Sequence, residues 1–149
     1  MEQTVEREMI VIENNATPTK DEKTWAMLCH LSVFSFILGI PVAHIIAPLI
    51  IWLIKKNQSQ FVDYHGKQSL NFQITITLIC LIGIVFYFLV IGSAFFSQNF
   101  GFIRIALMSL SFIIILVCII TDIVSTIRAS IRAYRGEYYK YALSFKFLK

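Results

Sequence analysis

The sequence predicts an all-α, polytopic membrane protein with four hydrophobic helical segments: an N-terminal broken hairpin followed by two full transmembrane helices. Three stretches, residues 24–54, 68–103 and 105–121, contain no Asp, Glu, Lys or Arg. Each approaches or exceeds the roughly 18–20 apolar residues that cross a bilayer as a helix. Charged residues make up 15% of the chain, against about 25% in soluble domains. The length of 149 residues allows one compact bundle.

The first stretch, residues 24–54, is too long and too interrupted to be one straight span. As a single helix it would measure roughly 46 Å, against a hydrocarbon core of about 30 Å. Gly39 and Pro41 interrupt it, and a proline inside a helix removes a backbone donor and at least kinks the helix. The stretch therefore either crosses once as a broken, tilted helix or forms a hairpin of two half-helices, about residues 25–38 and 42–54.

The distribution of basic residues favours the hairpin. A hairpin places all of the 13 Lys and Arg except Arg104 on the cytoplasmic side, where basic residues concentrate near membrane ends. A single crossing would leave Lys20 and Lys23 outside. We therefore expect a multi-pass protein of the bacterial cytoplasmic membrane with both termini in the cytoplasm. The expected parts are a mobile acidic tail (residues 1–23), a membrane bundle (24–127) with a cytoplasmic interfacial loop (55–69), and a basic, aromatic tail (128–149).

The second and third stretches predict ordinary spans, about residues 70–96 and 102–127. The connection between them is short, so the two spans are antiparallel neighbours. Small residues recur at every fourth position on the first stretch and near the end of the third, a spacing that lets helix backbones approach closely in lipid. We expect them to pack within the chain's own bundle rather than to form a homodimer seam. These packing residues are Gly39, Ala43, Ala47, Thr121, Ser125 and Ala129.

Polar side chains within or beside the charge-free stretches are candidates for function, because polar groups at membrane depth are costly and often functional. They are His30, His44, Asn71, Gln73 and Asp122. All except His44 are expected near the inner membrane interface. We therefore favour hydrogen bonding between helices, and the alternative is a proton relay or ion path through His44 and Asp122.

Two basic clusters adjoin the predicted cytoplasmic membrane ends. Lys and Arg in such positions are attracted to anionic lipid by about 1 kcal/mol each. Because every cluster adjoins a membrane end, we expect anionic headgroups or a membrane-protein partner to meet them, and no nucleic acid. The residues are Lys55, Lys56, Lys67, Arg128, Arg132 and Arg135.

The sequence shows no recognisable catalytic constellation, phosphate-binding loop or metal-ligand spacing. The three cysteines, Cys29, Cys80 and Cys118, are isolated in apolar runs, which is typical of small buried residues. We therefore expect a protein that is not an enzyme and that needs no metal or cofactor.

Four ordered motifs carry a resemblance to a known family. They are residues 25–32 (WAMLCHLS), 46–56 (IAPLIIWLIKK), 61–75 (FVDYHGKQSLNFQIT) and 131–141 (IRAYRGEYYKY). Over about residues 24–149 the chain resembles the Tic-twenty-like family of small bacterial membrane proteins, related to a chloroplast inner-envelope import subunit. Ala142 stands where that family usually has proline. The resemblance implies four helices with both termini on one side, and no catalytic residues.

These observations lead to three functional hypotheses. The first is a non-catalytic subunit, scaffold or translocation-associated accessory of a membrane complex, working with another membrane protein or a second copy of itself. The second is a small ion or solute conductor in which His44 and Asp122 line the path. The third is an immunity-type membrane protein, a hypothesis supported only by the small size and the predicted topology of the chain.

Overall fold

The computed structural model describes residues 17–40, 42–96 and 101–148. Within these ranges all regular secondary structure is helical, with no strand, as the sequence predicted, and the C-terminal tail after residue 136 is irregular. The elements are α1 (Lys20–Leu31), a 3₁₀ segment (Ser32–Leu38), α2 (Ala43–Lys55), α3 (Gln60–Phe96) and α4 (Phe102–Arg135). Pro41 and most of the predicted mobile tail, residues 1–16, lie outside the described residues.

Helix α1 begins before the charge-free stretch because Thr19 and Glu22 form a capping box. The Glu22 N–H donates to Thr19 Oγ1 (3.3 Å), and the Thr19 N–H donates to the Glu22 carboxylate (2.7 Å). A hydrogen bond from the Ser59 side chain, followed by one from the Thr19 backbone, lowers the pKa of Glu22. The predicted boundary at residue 23 is therefore wrong, since residues 20–23 form the first turn of α1.

The first charge-free stretch folds back on itself as a hairpin. After the 3₁₀ segment, Gly39 adopts a left-handed conformation (φ 79°) that side-chain-bearing residues rarely take. Helix α2 then returns beside α1, so that Lys55 Nζ lies 4.5 Å from the centroid of the Trp25 ring. The prediction that Gly39 packs helices together is wrong, because a Cβ at this position would meet nothing within 4 Å. Gly39 serves the turn instead.

Helices α3 and α4 run antiparallel and are long and apolar enough to cross a membrane. Residues Gln60–Ser93 and Phe102–Arg135 each comprise 34 residues, or roughly 51 Å of helix, which exceeds a hydrocarbon core of about 30 Å. Only 22% and 11% of their most apolar windows are buried. The core helix of a soluble protein would be mostly buried. The apolar surface of both helices therefore faces outward, as it does in helices that contact lipid.

The segment 55–69, predicted as an interfacial loop, is mostly helical. Only residues 56–59 connect α2 to α3. Phe61 and Val62 are buried against Ala26 of α1, and Lys67 Nζ lies 2.6 Å from Asp63 one turn earlier. The loop prediction was wrong because these apolar side chains pack into the bundle rather than into the headgroup layer.

Helix α4 also extends past the predicted boundary at residue 127. It ends where Gly136 adopts a left-handed conformation (φ 83°). Ala129 and Ala133 are fully buried in this last part of α4. Of the other predicted packing residues, Ala43 is buried, whereas Ala47, Thr121 and Ser125 are only half-buried. The tight core of the bundle thus lies at the end where α1, the start of α3 and the end of α4 meet.

Candidate functional site

Two histidines and a tyrosine, far apart in the sequence, meet in the core of the bundle. His30 on α1 and His65 on α3 join through Nε2 and Nδ1 at 2.9 Å, and the Tyr141 hydroxyl lies 3.0 Å from His30 Nδ1. The two imidazoles are 0% exposed and Tyr141 is 2% exposed. Beside them, the Ser69 hydroxyl donates to the Cys29 carbonyl (2.9 Å), which fixes α1 against α3. Buried polar groups in such a core need partners, and these groups supply them to one another.

Tyr141 belongs to the C-terminal tail, which returns along α3 after Gly136. Its ring stacks on Phe72 with centroids 4.0 Å apart. Burial raises the pKa of Tyr141 far above its ordinary value, so its phenol keeps its proton. The Thr126 hydroxyl of α4 faces this phenol and also donates to Asp122 Oδ1 (3.3 Å). Tyr141 therefore lies between the two histidines and the Thr126–Asp122 pair of α4.

Asp122 completes this set of contacts. Besides Thr126, it accepts a hydrogen bond from Gln73 Nε2 of α3 (2.8 Å). We call the set His65, His30, Tyr141, Thr126, Asp122 and Gln73 the polar network. It links α1, α3, α4 and the C-terminal tail.

A cavity of about 380 Å³ adjoins the network between α2, α3 and α4. Most of its lining is apolar, but His44, Thr77, Gln73 and Asp122 contribute polar groups. The His44 Nε2 lies 2.9 Å from the Thr77 hydroxyl, which positions the imidazole at the cavity wall. The structure thus brings together His44 and Asp122, the two residues that the sequence suggested for a path.

Asn71, another predicted polar candidate, has a different place. Its Oδ1 accepts hydrogen bonds from the N–H groups of Phe147 (3.1 Å) and Leu148 (2.8 Å), and its Nδ2 donates to the Leu148 carbonyl (3.0 Å). One turn along α3, Thr75 Oγ1 accepts from the Phe145 N–H (3.0 Å). Asn71 and Thr75 therefore hold the backbone of the C-terminal tail.

The predicted headgroup-binding residues divide into two groups. Lys55 and Lys56 lie over the rings of Trp25 and Trp52, at 4.5 and 4.8 Å from the centroids, and Lys67 pairs with Asp63. Arg128, Arg132 and Arg135 are exposed on the last turns of α4, where Arg132 also approaches Glu137 (3.8 Å). The three arginines are the more accessible surface for anionic headgroups.

Sequence reasoning missed His65 and Tyr141 as members of a site. His65 had been assigned to a loop and Tyr141 to a surface tail. A signal was available, because His65, Ser69 and Phe72 recur at i, i+4 and i+7, the spacing of one helix face. No local pattern indicated Tyr141, whose contact with His30 spans 111 positions.

Metal binding finds no support in the part of the chain that the structure describes. No group of three or more His, Cys, Asp and Glu residues there is arranged to hold a metal ion. The three cysteines are free, and Cys29 and Cys118 are buried. The site consists of hydrogen-bonding groups and a cavity.

The hairpin, the two long outward-facing apolar helices and the buried polar network define a small helical membrane protein. A family model matches residues 21–148, nearly the whole chain. The chain belongs to the MamF/MmsF family, described as the magnetosome magnetite crystal formation protein family. It is thus a member of a family of small magnetosome membrane proteins involved in forming magnetite crystals.

This match corrects the resemblance drawn from the sequence motifs. The Tic-twenty-like assignment is wrong, because the family model that covers those same motifs is the MamF/MmsF model. The translocation-associated role that accompanied that resemblance loses its support. No curated protein and no solved structure matches the chain.

Proposed function

We propose that this chain is a non-catalytic, multi-pass subunit of the membrane in which magnetite crystals form, and that it recruits or organises other membrane proteins there. The family match gives the process, and the outward-facing apolar surface of α3 and α4 carries the proposal of a scaffold. Exposed side chains on that surface include Leu89, Leu110 and Val117. Helices that bury so little against their own chain keep most of their surface for lipid or for neighbouring helices.

Site-specific photo-crosslinking in the native host tests the scaffold role. A benzophenone side chain placed at Val117, which is 55% exposed, is expected to give adducts with another membrane protein or with a second copy. Asn57, exposed in the turn between α2 and α3, is the matched control outside the apolar surface. If Val117, Leu110 and Leu89 all give lipid adducts and no protein adduct, the scaffold proposal fails.

The same membrane role requires an orientation, and we propose that both termini face the cytoplasm. The exposed arginines at the end of α4 and the lysines around the α2–α3 turn support this orientation, because basic residues collect on the cytoplasmic side. In a cysteine-free background, a cysteine at Asn57 or Leu143 is expected to resist an impermeant thiol reagent in intact cells, whereas one at Gly101 reacts. Labelling at Asn57 would show the opposite orientation.

A second candidate function is conduction of a small ion or solute. The cavity favours it, because His44 and Asp122 lie in the wall of one open cavity between α2, α3 and α4. Intramembrane ionisable groups beside such a space mark pathways in many membrane proteins.

Flux through proteoliposomes tests the second candidate. Native protein is expected to speed the loss of an ion gradient, and Asp122→Asn is expected to slow it. Thr121→Ser, a conservative change at the neighbouring half-buried position, is the matched control. Equal rates in the native protein and Asp122→Asn would remove Asp122 from any path.

A further inference from the structure

We propose that the polar network and the cavity together form a proton path, in which the network carries protons between Asp122 and the end of the bundle where the C-terminal tail folds back. This inference rests on the second candidate function and names its substrate. It is independent of the scaffold role.

The members of the polar network follow one another in space from His65 to Asp122. Hydrogen bonds join His65 to His30 (2.9 Å), His30 to Tyr141 (3.0 Å) and Thr126 to Asp122 (3.3 Å). Between these two groups, the Thr126 hydroxyl faces the Tyr141 phenol. Every one of these side chains has at least one group that both donates and accepts hydrogen bonds or that can hold a proton. Hydrogen-bonded chains of this kind pass protons by successive short transfers.

The path also needs an orientation. The Thr126 hydroxyl donates to Asp122, so its oxygen is free to accept from the Tyr141 phenol. If His30 and His65 each carry their proton on Nδ1, Tyr141 accepts from His30 Nδ1–H and His30 Nε2 accepts from His65 Nδ1–H. In this arrangement His65 Nε2 carries no proton. The Glu137 backbone faces the ring, but no hydrogen bond to Nε2 with ordinary distance and angle occurs within the described residues. All donors then point the same way, from His65 toward Asp122.

The transfer is balanced as follows. A proton binds His65 Nε2, and the His65 Nδ1 proton moves to His30 Nε2. The His30 Nδ1 proton moves to the Tyr141 oxygen, and the phenol proton moves to the Thr126 oxygen. The Thr126 proton moves to the Asp122 carboxylate, so one N–H bond has formed at His65 Nε2 and one O–H bond at Asp122. The reverse sequence releases a proton at His65.

The path needs an entry and an exit. At one end, the His65 ring is stacked under the Tyr138 ring, which is 57% exposed (centroids 6.1 Å apart), so His65 lies one side chain from the surface. At the other end, Asp122 lines the cavity, which reaches along α3 as far as Ile84. Titratable groups facing Asp122 are His44 on α2, Cys80 on α3 and Tyr141 in the tail.

The length of the path is comparable to the thickness of a hydrocarbon core. From His65 to Ile84 the path follows 19 residues of α3, or about 28 Å of helix, close to the roughly 30 Å of a hydrocarbon core. The cavity of about 380 Å³ is mostly apolar, and its four polar side chains offer hydrogen-bond partners for water beside Asp122. The network and the cavity together therefore extend over most of the thickness of a hydrocarbon core. Protons are also a substrate that this membrane must handle, because building an iron oxide from aqueous iron ions takes oxide from water and releases protons.

The test is proton flux into proteoliposomes that contain a trapped pH-sensitive dye. Native protein is expected to dissipate a pH gradient faster than protein-free vesicles do. Tyr141→Phe keeps the ring on Phe72 but removes the hydroxyl, and it is expected to slow the protein-dependent flux by about tenfold or more, because a proton must then cross a gap with no hydrogen bond. Thr126→Val breaks the next link and is expected to have the same effect, and it serves alone if Tyr141→Phe does not fold.

Two further variants separate a path from a structural role. Links in series are not additive, so the Tyr141→Phe, Thr126→Val double variant is expected to conduct no less than the slower single variant. Ser69→Ala removes a buried hydrogen bond of the same core outside the network, and its flux is expected to stay within about twofold of native.

The measured fluxes distinguish the proton path from the other proposals. Native-like flux in both Tyr141→Phe and Thr126→Val overturns the proposed route. Flux of sodium or potassium without proton flux overturns the proton path but supports conduction. Absence of all flux overturns both, and leaves the scaffold role to the crosslinking experiment.

Discussion

Asn71 makes three of the hydrogen bonds that hold the C-terminal tail against α3. Replacing it by alanine removes three hydrogen bonds to the backbone of Phe147 and Leu148. Each such hydrogen bond contributes a net of about 0.5–1.5 kcal/mol to stability. Because these contacts are only partly buried and water replaces some of them, the lower half of that range gives about 1.5–3 kcal/mol in total. The local opening equilibrium of the tail should therefore rise by roughly 10- to 150-fold.

Hydrogen–deuterium exchange of the detergent-solubilised protein measures this opening. In Asn71→Ala the amides of residues 147 and 148 should exchange faster by the stated factor, while the α3–α4 amides keep their protection. Thr75→Val removes only the bond to the Phe145 N–H and should give a rise of several-fold, confined to that residue. The reasoning is refuted if exchange at 147 and 148 is unchanged in Asn71→Ala, or if Thr75→Val affects them as strongly.

Two further predictions concern stability. Gly66→Ala should lower the thermal unfolding temperature. The new Cβ would lie 2.7 Å from Cγ and 2.9 Å from Cβ of Trp52, and such overpacking costs about 1–3 kcal/mol. This penalty exceeds the roughly 1 kcal/mol that alanine gains over glycine in helix propensity. Gly92→Ala, whose Cβ would meet nothing within 4 Å, should leave that temperature equal or higher, and equal losses in both variants would contradict the packing argument. The pKa of Glu22 is lowered, so its stabilisation of α1 is complete above the ordinary value of 4.5 and is lost as the pH falls through the lowered value. Glu22→Gln should therefore reduce the stability at neutral pH. In unfolding curves measured over a range of pH, it should also reduce the loss of stability between neutral and acidic pH. If that loss is the same as in the native protein, Glu22 does not contribute to it.

The helices and the hairpin were predictable because their signals are local. Long stretches without charged residues predict the apolar helices. A glycine followed closely by a proline, Gly39 and Pro41, predicts the turn of the hairpin. The error over residues 55–69 has a local cause as well. Asp63, Lys67 and their polar neighbours made the segment look like a loop, although their i, i+4 spacing is equally typical of a helix surface.

The polar network was not predictable from the sequence, because its contacts depend on tertiary arrangement. His30 meets His65 across 35 positions only because α1 docks parallel to the start of α3. Tyr141 meets His30 only because the tail turns back at Gly136. A surface tail and a docked tail have the same composition, and what distinguishes them is a partner such as Asn71 on another helix.

The composition of the core argues that the network does more than hold the bundle together. Apolar residues of similar volume pack a core at least as stably as buried polar groups do, and each polar group left without a partner costs about 1–3 kcal/mol. This core nevertheless contains two fully buried histidines, a buried threonine and a buried glutamine whose Oε1 has no partner within the described residues. The small residues Ala129 and Ala133, both fully buried, already provide close helix packing beside them. Stability alone therefore does not account for the polar residues, whereas the proposed transfer of protons to and from Asp122 uses the two imidazoles and the threonine hydroxyl.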